Sequence, residues 1–196
     1  MAIKSSRNKS EVSERVKKIN IDGGEVFVYD NALGFSNNQI LSTFLLNSFF
    51  KPVGIDGPDS NVKHHTSMMS TYSQDDVINS NFFDYLSEDV KEKHSVSIDS
   101  MFNCNINLVT PSDRFHIHTD SGGGSKVTLL YYPTENWNIE FGGDTLFLDE
   151  SGENIEFYSQ YKTDRLVIFD SNIPHLIRPS TYLAPYYRIS LAMKFK

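Results

Sequence analysis

A mainly β fold, preceded by a small helical layer, is what the sequence predicts for this chain of 196 residues. From about residue 95 onward, short stretches of β-branched and aromatic residues are separated by Gly, Pro, Asn and Asp. Two stretches with apolar residues at helical spacing precede them. Many short strands at this spacing are typical of a sandwich or barrel. The length fits one domain, which we expect over residues 21–196.

The N-terminal part predicts a tail, one strand and two helices. Residues 1–20 are basic and polar and are expected to be flexible, and GEVFVYD (24–30) alternates as a strand does. Ser36 and Gln39 form a capping-box pattern before a helix that Lys51-Pro52 ends. Its apolar face is expected to carry Ile40, Leu41, Phe44, Leu45 and Phe49. A second helix is expected from about Asp75 to Lys93.

The helical layer therefore covers about residues 35–94, and the β core about residues 95–196. Between the helices, the polar segment 54–72 predicts a long loop, and loops of that length are usually mobile or functional. His64 and His65 in it are interpreted as a surface pair. The predicted strands are SVSIDS through INLVT, RFHIHTD, KVTLLYY, DTLFLDE, NIEFYSQ, RLVIFD, PHLIRP and YRISLAMKF.

Composition narrows the classes of partner. The net charge is -7, and residues 1–18 carry six Lys/Arg and two Glu, so that segment is +4 and the remainder is -11. An acidic body argues against a broad phosphate-binding surface, so nucleic acid is not an expected partner. No apolar run reaches the length of a membrane span, and Cys104 is the single cysteine. We therefore expect a soluble, cytoplasmic protein without a membrane partner.

A metal site is predicted by three residues from two segments. In RFHIHTD, strand alternation places His116, His118 and Asp120 on one face. A single His-x-Asp pattern is weak evidence, but His175 follows at the start of a later predicted strand. Two histidines and one carboxylate form the facial arrangement of non-haem Fe(II) oxygenases.

An anion-binding residue is predicted by the last strand. Arg188 and Ser190 share one face, and the other face is wholly apolar, with Tyr187, Ile189, Leu191, Met193 and Phe195. If the apolar row packs on the helices, Arg188 points into the β core. A buried guanidinium needs an anion, and its planar fork suits a carboxylate. In KVTLLYY, the same alternation groups Thr128 and Tyr132 on the more polar face.

The ordered set HTD (118–120), VTLLYYPTENW (127–137), FGGDTLF (141–147), DRLVIFDS (164–171), PH (174–175) and YRISLAM (187–193) resembles the Fe(II)/2-oxoglutarate dioxygenases. Within them it is most similar to the prolyl-hydroxylase-like branch. The resemblance implies a double-stranded β-helix, or jelly-roll, core. It also implies His118, Asp120 and His175 as iron ligands, with Arg188 and Tyr132 on the distal carboxylate of 2-oxoglutarate. Thr128 and Ser190 are further candidates for that pocket.

The implied activity is hydroxylation of a C–H bond with 2-oxoglutarate and O2 as co-substrates, and ascorbate is a candidate accessory reductant. The substrate class stays open between a prolyl or other side chain of a peptide and a small molecule. FGGD is interpreted as a turn that admits a close backbone. Two alternatives also stay open: an inert, cupin-like binding module, and an iron site made of His116, His118 and His175.

Two departures from the family pattern bear on the co-substrate. Relatives commonly place Tyr or Asn about ten residues before the metal histidine, where this chain has Leu108 with Asn105 and Asn107 nearby. Arg178 competes with Arg188 for the carboxylate. Arg188 is preferred because RISLAM matches the final strand of the family.

Overall fold

The computed structural model describes residues 16–53, 67–113 and 115–196. Most of the predicted basic tail, and His64 and His65 with most of the predicted loop, lie outside the described residues. Within the described part of the chain, no helix combines the length and the apolar character that crossing a membrane requires.

Strands outnumber helices along the chain. The strands are β1 (Val16–Ile21), β2 (Gly24–Asp30), β3 (Lys51–Val53), β4 (Ser67–Thr71), β5 (Met101–Val109), β6 (Val127–Tyr132), β7 (Thr145–Leu148), β8 (Ile155–Ser159), β9 (Arg165–Asp170), β10 (His175–Ile177) and β11 (Arg188–Phe195). The helices are α1 (Phe35–Leu46), α2 (Gln74–Asn79), α3 (Phe82–Tyr85) and α4 (Glu88–His94).

The strands form a large and a small antiparallel sheet. The large sheet has eight strands in the order β1-β2-β9-β6-β11-β5-β4-β3, and the small sheet has three in the order β10-β7-β8. Strands distant in sequence are neighbours, as β9 and β11 on either side of β6 show. The mainly β, jelly-roll fold predicted from the sequence is confirmed.

Two hydrophobic cores lie on opposite faces of the large sheet. The outer core joins α1 to α4 with the outward side chains of β5, β6 and β11, including Leu129, Tyr131, Leu191, Met193 and Phe195. The inner core lies between the sheets and includes Val28, Leu130, Tyr132, Phe147 and Phe169. Because side chains alternate along a strand, each central strand contributes to both cores. The face division predicted for β6 is therefore confirmed, and so is that for β11 from Arg188 onward, whereas Tyr187 lies before the strand and is exposed instead of packing on the helices.

The prediction of one continuous second helix is wrong, because three short helices occupy this part of the chain. It is divided into α2, α3 and α4 because Asn81 adopts a left-handed conformation and Leu86 is extended. Ser73 begins α2 with a reciprocal capping box, in which its side chain accepts from the N–H of Asp76. Apolar residues on one helical face continued through these breaks, so periodicity alone did not reveal them.

The predicted helical layer and tail also contain strands. The residues from Lys51 to Val53 and from Ser67 to Thr71 pair with each other, and the second stretch pairs with β5. Residues 16–20, assigned to the tail, belong to β1, which pairs with β2. Backbone hydrogen bonds to neighbouring strands hold these segments in the large sheet.

The first helix begins and ends earlier than predicted. Gly34 is its N-cap, without a side-chain cap, so the capping box of Ser36 and Gln39 is absent. The helix ends at Leu46, and Phe49 beyond it is exposed. Leu41 and Leu45 are buried as predicted, whereas Ile40 is exposed.

Candidate active site

The three metal-ligand candidates lie together where the segment after β5 pairs with the start of β10. The prediction of a strand over RFHIHTD is wrong for residues 115–117, which are in no strand, and His118 forms only an isolated antiparallel bridge with His175. Each of the two backbones donates an N–H to the carbonyl of the other, at 3.0 and 2.9 Å. The N–H of Asp120 donates to the carbonyl of Ser171 at 2.7 Å. Backbone pairing, rather than strand alternation, therefore brings the three side chains together.

One potential ligand atom from each of His118, Asp120 and His175 lies within 4.8 Å of the other two. His118 Nδ1 is 3.0 Å from the carbonyl oxygen of His116, and His175 Nδ1 is 2.9 Å from that of Ile173. A carbonyl can only accept, so both Nδ1 atoms carry a proton, and Nε2 is the atom of each ring that can turn a lone pair to a metal. Such backbone contacts are the usual orienting partners of metal-binding histidines.

The protonation states also suit a cation. Burial lowers the pKa of His175 to about 4, more than the neighbouring Asp120 raises it, so this imidazole is neutral at neutral pH. Burial alone would raise the pKa of Asp120, but His175, Lys194 and His118 together hold it below its usual value. The site thus offers the neutral imidazole of His175 and the Asp120 carboxylate, with the His118 imidazole beside them.

Two side chains from the large sheet hold the Asp120 carboxylate. Thr128 on β6 donates its hydroxyl to Oδ2 at 3.0 Å, and Lys194 on β11 lies 2.7 Å from Oδ1. Thr128 and Lys194 are directly opposite each other in the pairing of β6 with β11. Thr128 therefore lies beside the three metal-ligand candidates, at what we call the metal end of the site. Lys194 was not predicted, although it shares the alternation of Arg188 and Ser190.

Arg188 on β11 is fully buried between the sheets. Its Nε donates to the carbonyl of Gly143 at 2.7 Å, and its Nη1 donates to Ser190 Oγ at 3.2 Å. Within the described part of the chain, no hydrogen-bond partner contacts its Nη2. A buried polar group without a partner is costly, and a charged one more so. The guanidinium therefore has a free donor that fits a carboxylate.

Aromatic rings enclose this guanidinium. Its Cζ lies 5.4 Å from the ring centroid of Tyr132 and 4.8 Å from that of Tyr161, and the two rings are stacked. The Tyr132 hydroxyl donates to Thr145 Oγ1 at 2.9 Å. Gly143 has a φ of 84°, and a Cβ there would lie 2.9 Å from Arg188 Cδ. Only glycine fits this close approach, as expected for the FGGD turn.

The other residues considered in the sequence analysis lie outside the metal cluster and the arginine pocket. Arg178 is exposed beyond the end of β10. Leu108 pairs with Ile189 on the outer face, whereas Asn107 is opposite Ser190 and Asn105 is opposite Ala192 on the inner face. His116 contributes its carbonyl to His118, and its side chain is not part of the cluster found among the described residues.

Residues 104–195 match the family model described as the 2OG-Fe(II) oxygenase superfamily. The match covers 92 of the 196 residues, and this segment is similar to the superfamily. The matched segment holds every residue of the metal cluster and of the arginine pocket. No curated protein sequence matches the chain.

Several solved structures are similar in fold to this chain. A prolyl hydroxylase from Trichoplax adhaerens, in complex with a hypoxia inducible factor oxygen degradation domain peptide fragment, has 20% identity and a TM-score of 0.64 over 87% of this chain and 82% of that chain. A Pseudomonas putida prolyl-4-hydroxylase has 16% identity and a TM-score of 0.65, with 87% and 92% covered. A Burkholderia pseudomallei oxidoreductase of the 2OG-Fe(II) oxygenase family has 9% identity and a TM-score of 0.64, with 87% and 85% covered.

Proposed function

We propose that this protein is an Fe(II)- and 2-oxoglutarate-dependent dioxygenase that hydroxylates a C–H bond. His118, Asp120 and His175 would bind the iron, and Arg188 would bind the distal carboxylate of 2-oxoglutarate. The observation that carries the proposal is the meeting of three ligand atoms within 4.8 Å, inside a segment that matches the oxygenase family. Two histidines and one carboxylate with open positions are the donor set of this iron chemistry.

The chemistry that bound Fe(II) supplies is activation of O2 with oxidative decarboxylation of 2-oxoglutarate to succinate and CO2, coupled to hydroxylation of a C–H bond. The residues of the chain supply geometry and charge. The backbone carbonyls of His116 and Ile173 fix the imidazole tautomers of His118 and His175. Thr128 fixes the plane of the Asp120 carboxylate through Oδ2.

The arginine pocket supports 2-oxoglutarate as the co-substrate. Gly143 and Ser190 hold two guanidinium nitrogens of Arg188, so the third can donate to a carboxylate without further rearrangement. Tyr132 and Tyr161 exclude water from the charge. Exclusion of water strengthens an ion pair that forms there. Asn107, on the same inner face, is a further candidate contact for the co-substrate.

A prolyl residue of a peptide is the proposed substrate class. Structures of the same fold include two prolyl hydroxylases, one in complex with a peptide fragment. The inner face of β5 also carries Asn103, Asn105 and Asn107 in succession, opposite Lys194, Ala192 and Ser190. Amide side chains both donate and accept, so such a row suits an extended peptide backbone.

Anaerobic titration with Fe(II) and then 2-oxoglutarate tests the proposed chemistry. We expect one Fe(II) per chain and, with 2-oxoglutarate, the weak visible charge-transfer band of a chelated 2-oxoacid. Metal binding without that band would instead support an inert binding module. With O2 and ascorbate present, mass spectrometry of prolyl peptides and small-molecule pools should find a product heavier by one oxygen atom.

A further inference from the structure

Lys194 places a positive charge directly on the carboxylate that would bind the metal. Its Nζ lies 2.7 Å from Asp120 Oδ1, and the side chain of Lys194 is 27% exposed while that of Asp120 is 8% exposed. Among the described residues, no other Lys or Arg forms a salt bridge with Asp120. The ammonium is thus the cationic partner of a nearly buried anion in the metal-free protein.

A divalent metal at His118, Asp120 and His175 would use the same carboxylate. The ammonium and the metal would then carry like charges around one carboxylate that is itself nearly buried. Charges repel more strongly where water does not screen them. This repulsion favours withdrawal of the ammonium when a metal binds, and the partial exposure of Lys194 gives its flexible side chain a direction in which to move.

Lys194 also has an alternative role with the opposite consequence. A side chain that orients a metal ligand raises metal affinity, and its loss typically weakens binding by about 10 to 100-fold. Thr128, however, already holds Asp120 through Oδ2, and the backbone of Asp120 is fixed by Ser171. Orientation of the carboxylate thus does not depend on Lys194, whereas neutralisation of its charge does.

We propose that Lys194 is a displaceable counter-ion of Asp120, which stabilises the metal-free protein and competes with the divalent metal for this carboxylate. This role presupposes the proposed metal centre. Lys194 then acts on the metal through Asp120, and its charge sets metal affinity. After metal binding, it leaves a mobile cation beside the reaction site.

Metal affinity of Lys194→Met tests the sign of the effect. Competition with a chelator under anaerobic conditions gives the dissociation constants for Fe(II) and Co(II) in the full chain. We expect Lys194→Met and Lys194→Gln to bind either metal at least about tenfold more tightly than the wild type. Lys194→Arg, which keeps the charge, should stay within about threefold. Unchanged or weaker binding by both neutral variants would overturn the proposal.

Two further measurements distinguish a failure of the proposed metal site from a failure of the proposed role of Lys194. Lys126→Met makes the same change in net charge at an exposed position, and its metal affinity should equal that of the wild type. Thermal unfolding of the metal-free variants should show a lower midpoint for Lys194→Met and Lys194→Gln, and a larger increase on addition of Co(II). If the wild type binds no divalent metal, the proposed function fails; if it does and the neutral variants bind less tightly, only the role of Lys194 fails.

Discussion

Strand β11 runs between two ends of the site, the metal end at Asp120 and the arginine end at Arg188. The two ends differ in whether the charged group has its full set of partners. At the metal end, the Asp120 carboxylate has Thr128 and Lys194 as partners. At the arginine end, Arg188 is fully buried, and one of its guanidinium nitrogens has no partner among the described residues. The side chains of the protein therefore satisfy the charge at the metal end but not at the arginine end.

This difference indicates which ligand each end requires. A satisfied carboxylate can bind a cation only by exchanging partners, so metal affinity depends on competition. An unsatisfied guanidinium gains a hydrogen bond from an arriving carboxylate and loses none. Changes at the two ends should therefore affect metal binding and 2-oxoglutarate binding separately.

The largest effect is expected from Asp120→Ala, which removes the only anionic ligand and leaves Lys194 without its partner. Iron affinity should decrease by more than the roughly 100-fold upper range of changes around a metal site. Decarboxylation of 2-oxoglutarate should cease. Chelator competition and succinate formation measure the two effects.

His116→Ala is the control for this change, because only the carbonyl of His116 contacts the cluster. Its iron affinity should stay within a few-fold of the wild type. The reverse ranking of the two variants would favour the site made of three histidines.

Arg188→Gln should weaken the binding of 2-oxoglutarate without changing the binding of iron. Loss of one partner of a buried charge pair costs about 2 to 5 kcal/mol. At about 1.4 kcal/mol per tenfold, 2-oxoglutarate should bind roughly 30 to 3,000-fold more weakly. Iron affinity should barely change, because the ligands lie on other segments. Isothermal titration with and without 2-oxoglutarate measures both quantities.

Arg178→Gln is the matched control, since Arg178 is exposed. It should leave the dissociation constant of 2-oxoglutarate unchanged. A strong effect of Arg178→Gln, together with less than about a threefold effect of Arg188→Gln, would show that Arg178 and not Arg188 binds the carboxylate of 2-oxoglutarate.

The smallest effect is a pH dependence of the metal-free protein. Burial lowers the pKa of His175 to about 4, below its ordinary 6.5. Between these values the unfolded chain takes up a proton that the folded chain does not, so the free energy of unfolding should decrease as the pH falls from about 6.5 to about 4. The contribution of His175 is roughly 3 kcal/mol at most.

His94 adds to the same slope, because burial also lowers its pKa to about 4. Urea unfolding across this pH range should therefore show a smaller slope for His94→Gln and for His175→Gln than for the wild type. A wild-type stability independent of pH in this interval would contradict the buried, neutral state of His175.

The fold was predictable where local patterns agreed with long-range packing. RLVIFD and GEVFVYD were predicted as the strands that the structure contains, because their apolar character and turn boundaries agree with a buried position. The stretch from Asp75 to Lys93 was not, because the breaks at Asn81 and Leu86 depend on backbone conformations that apolar spacing does not encode.

The site was predictable in its chemistry but not in its contacts. The clustering of His118, Asp120 and His175 was expected, although a backbone bridge rather than a strand face brings them together. Lys194 was missed because its importance depends on a carboxylate from a distant segment. Its place on the inner face followed from alternation, but its contact with Asp120 did not.

The sequence by itself determined which chemical groups this protein has and on which face of each central strand they lie. Side-chain alternation has a period of two whatever the strand pairs with, so the inward direction of Arg188, Ser190 and Tyr132 is a local property. Only the tertiary structure decided which groups meet. The register between β6 and β11 places Thr128 opposite Lys194, and the crossing of the 115–120 segment with β10 brings Asp120 to both. The occupied carboxylate and the partly unpaired guanidinium are therefore consequences of strand register, because hydrogen bonds depend on distances that a linear pattern does not contain.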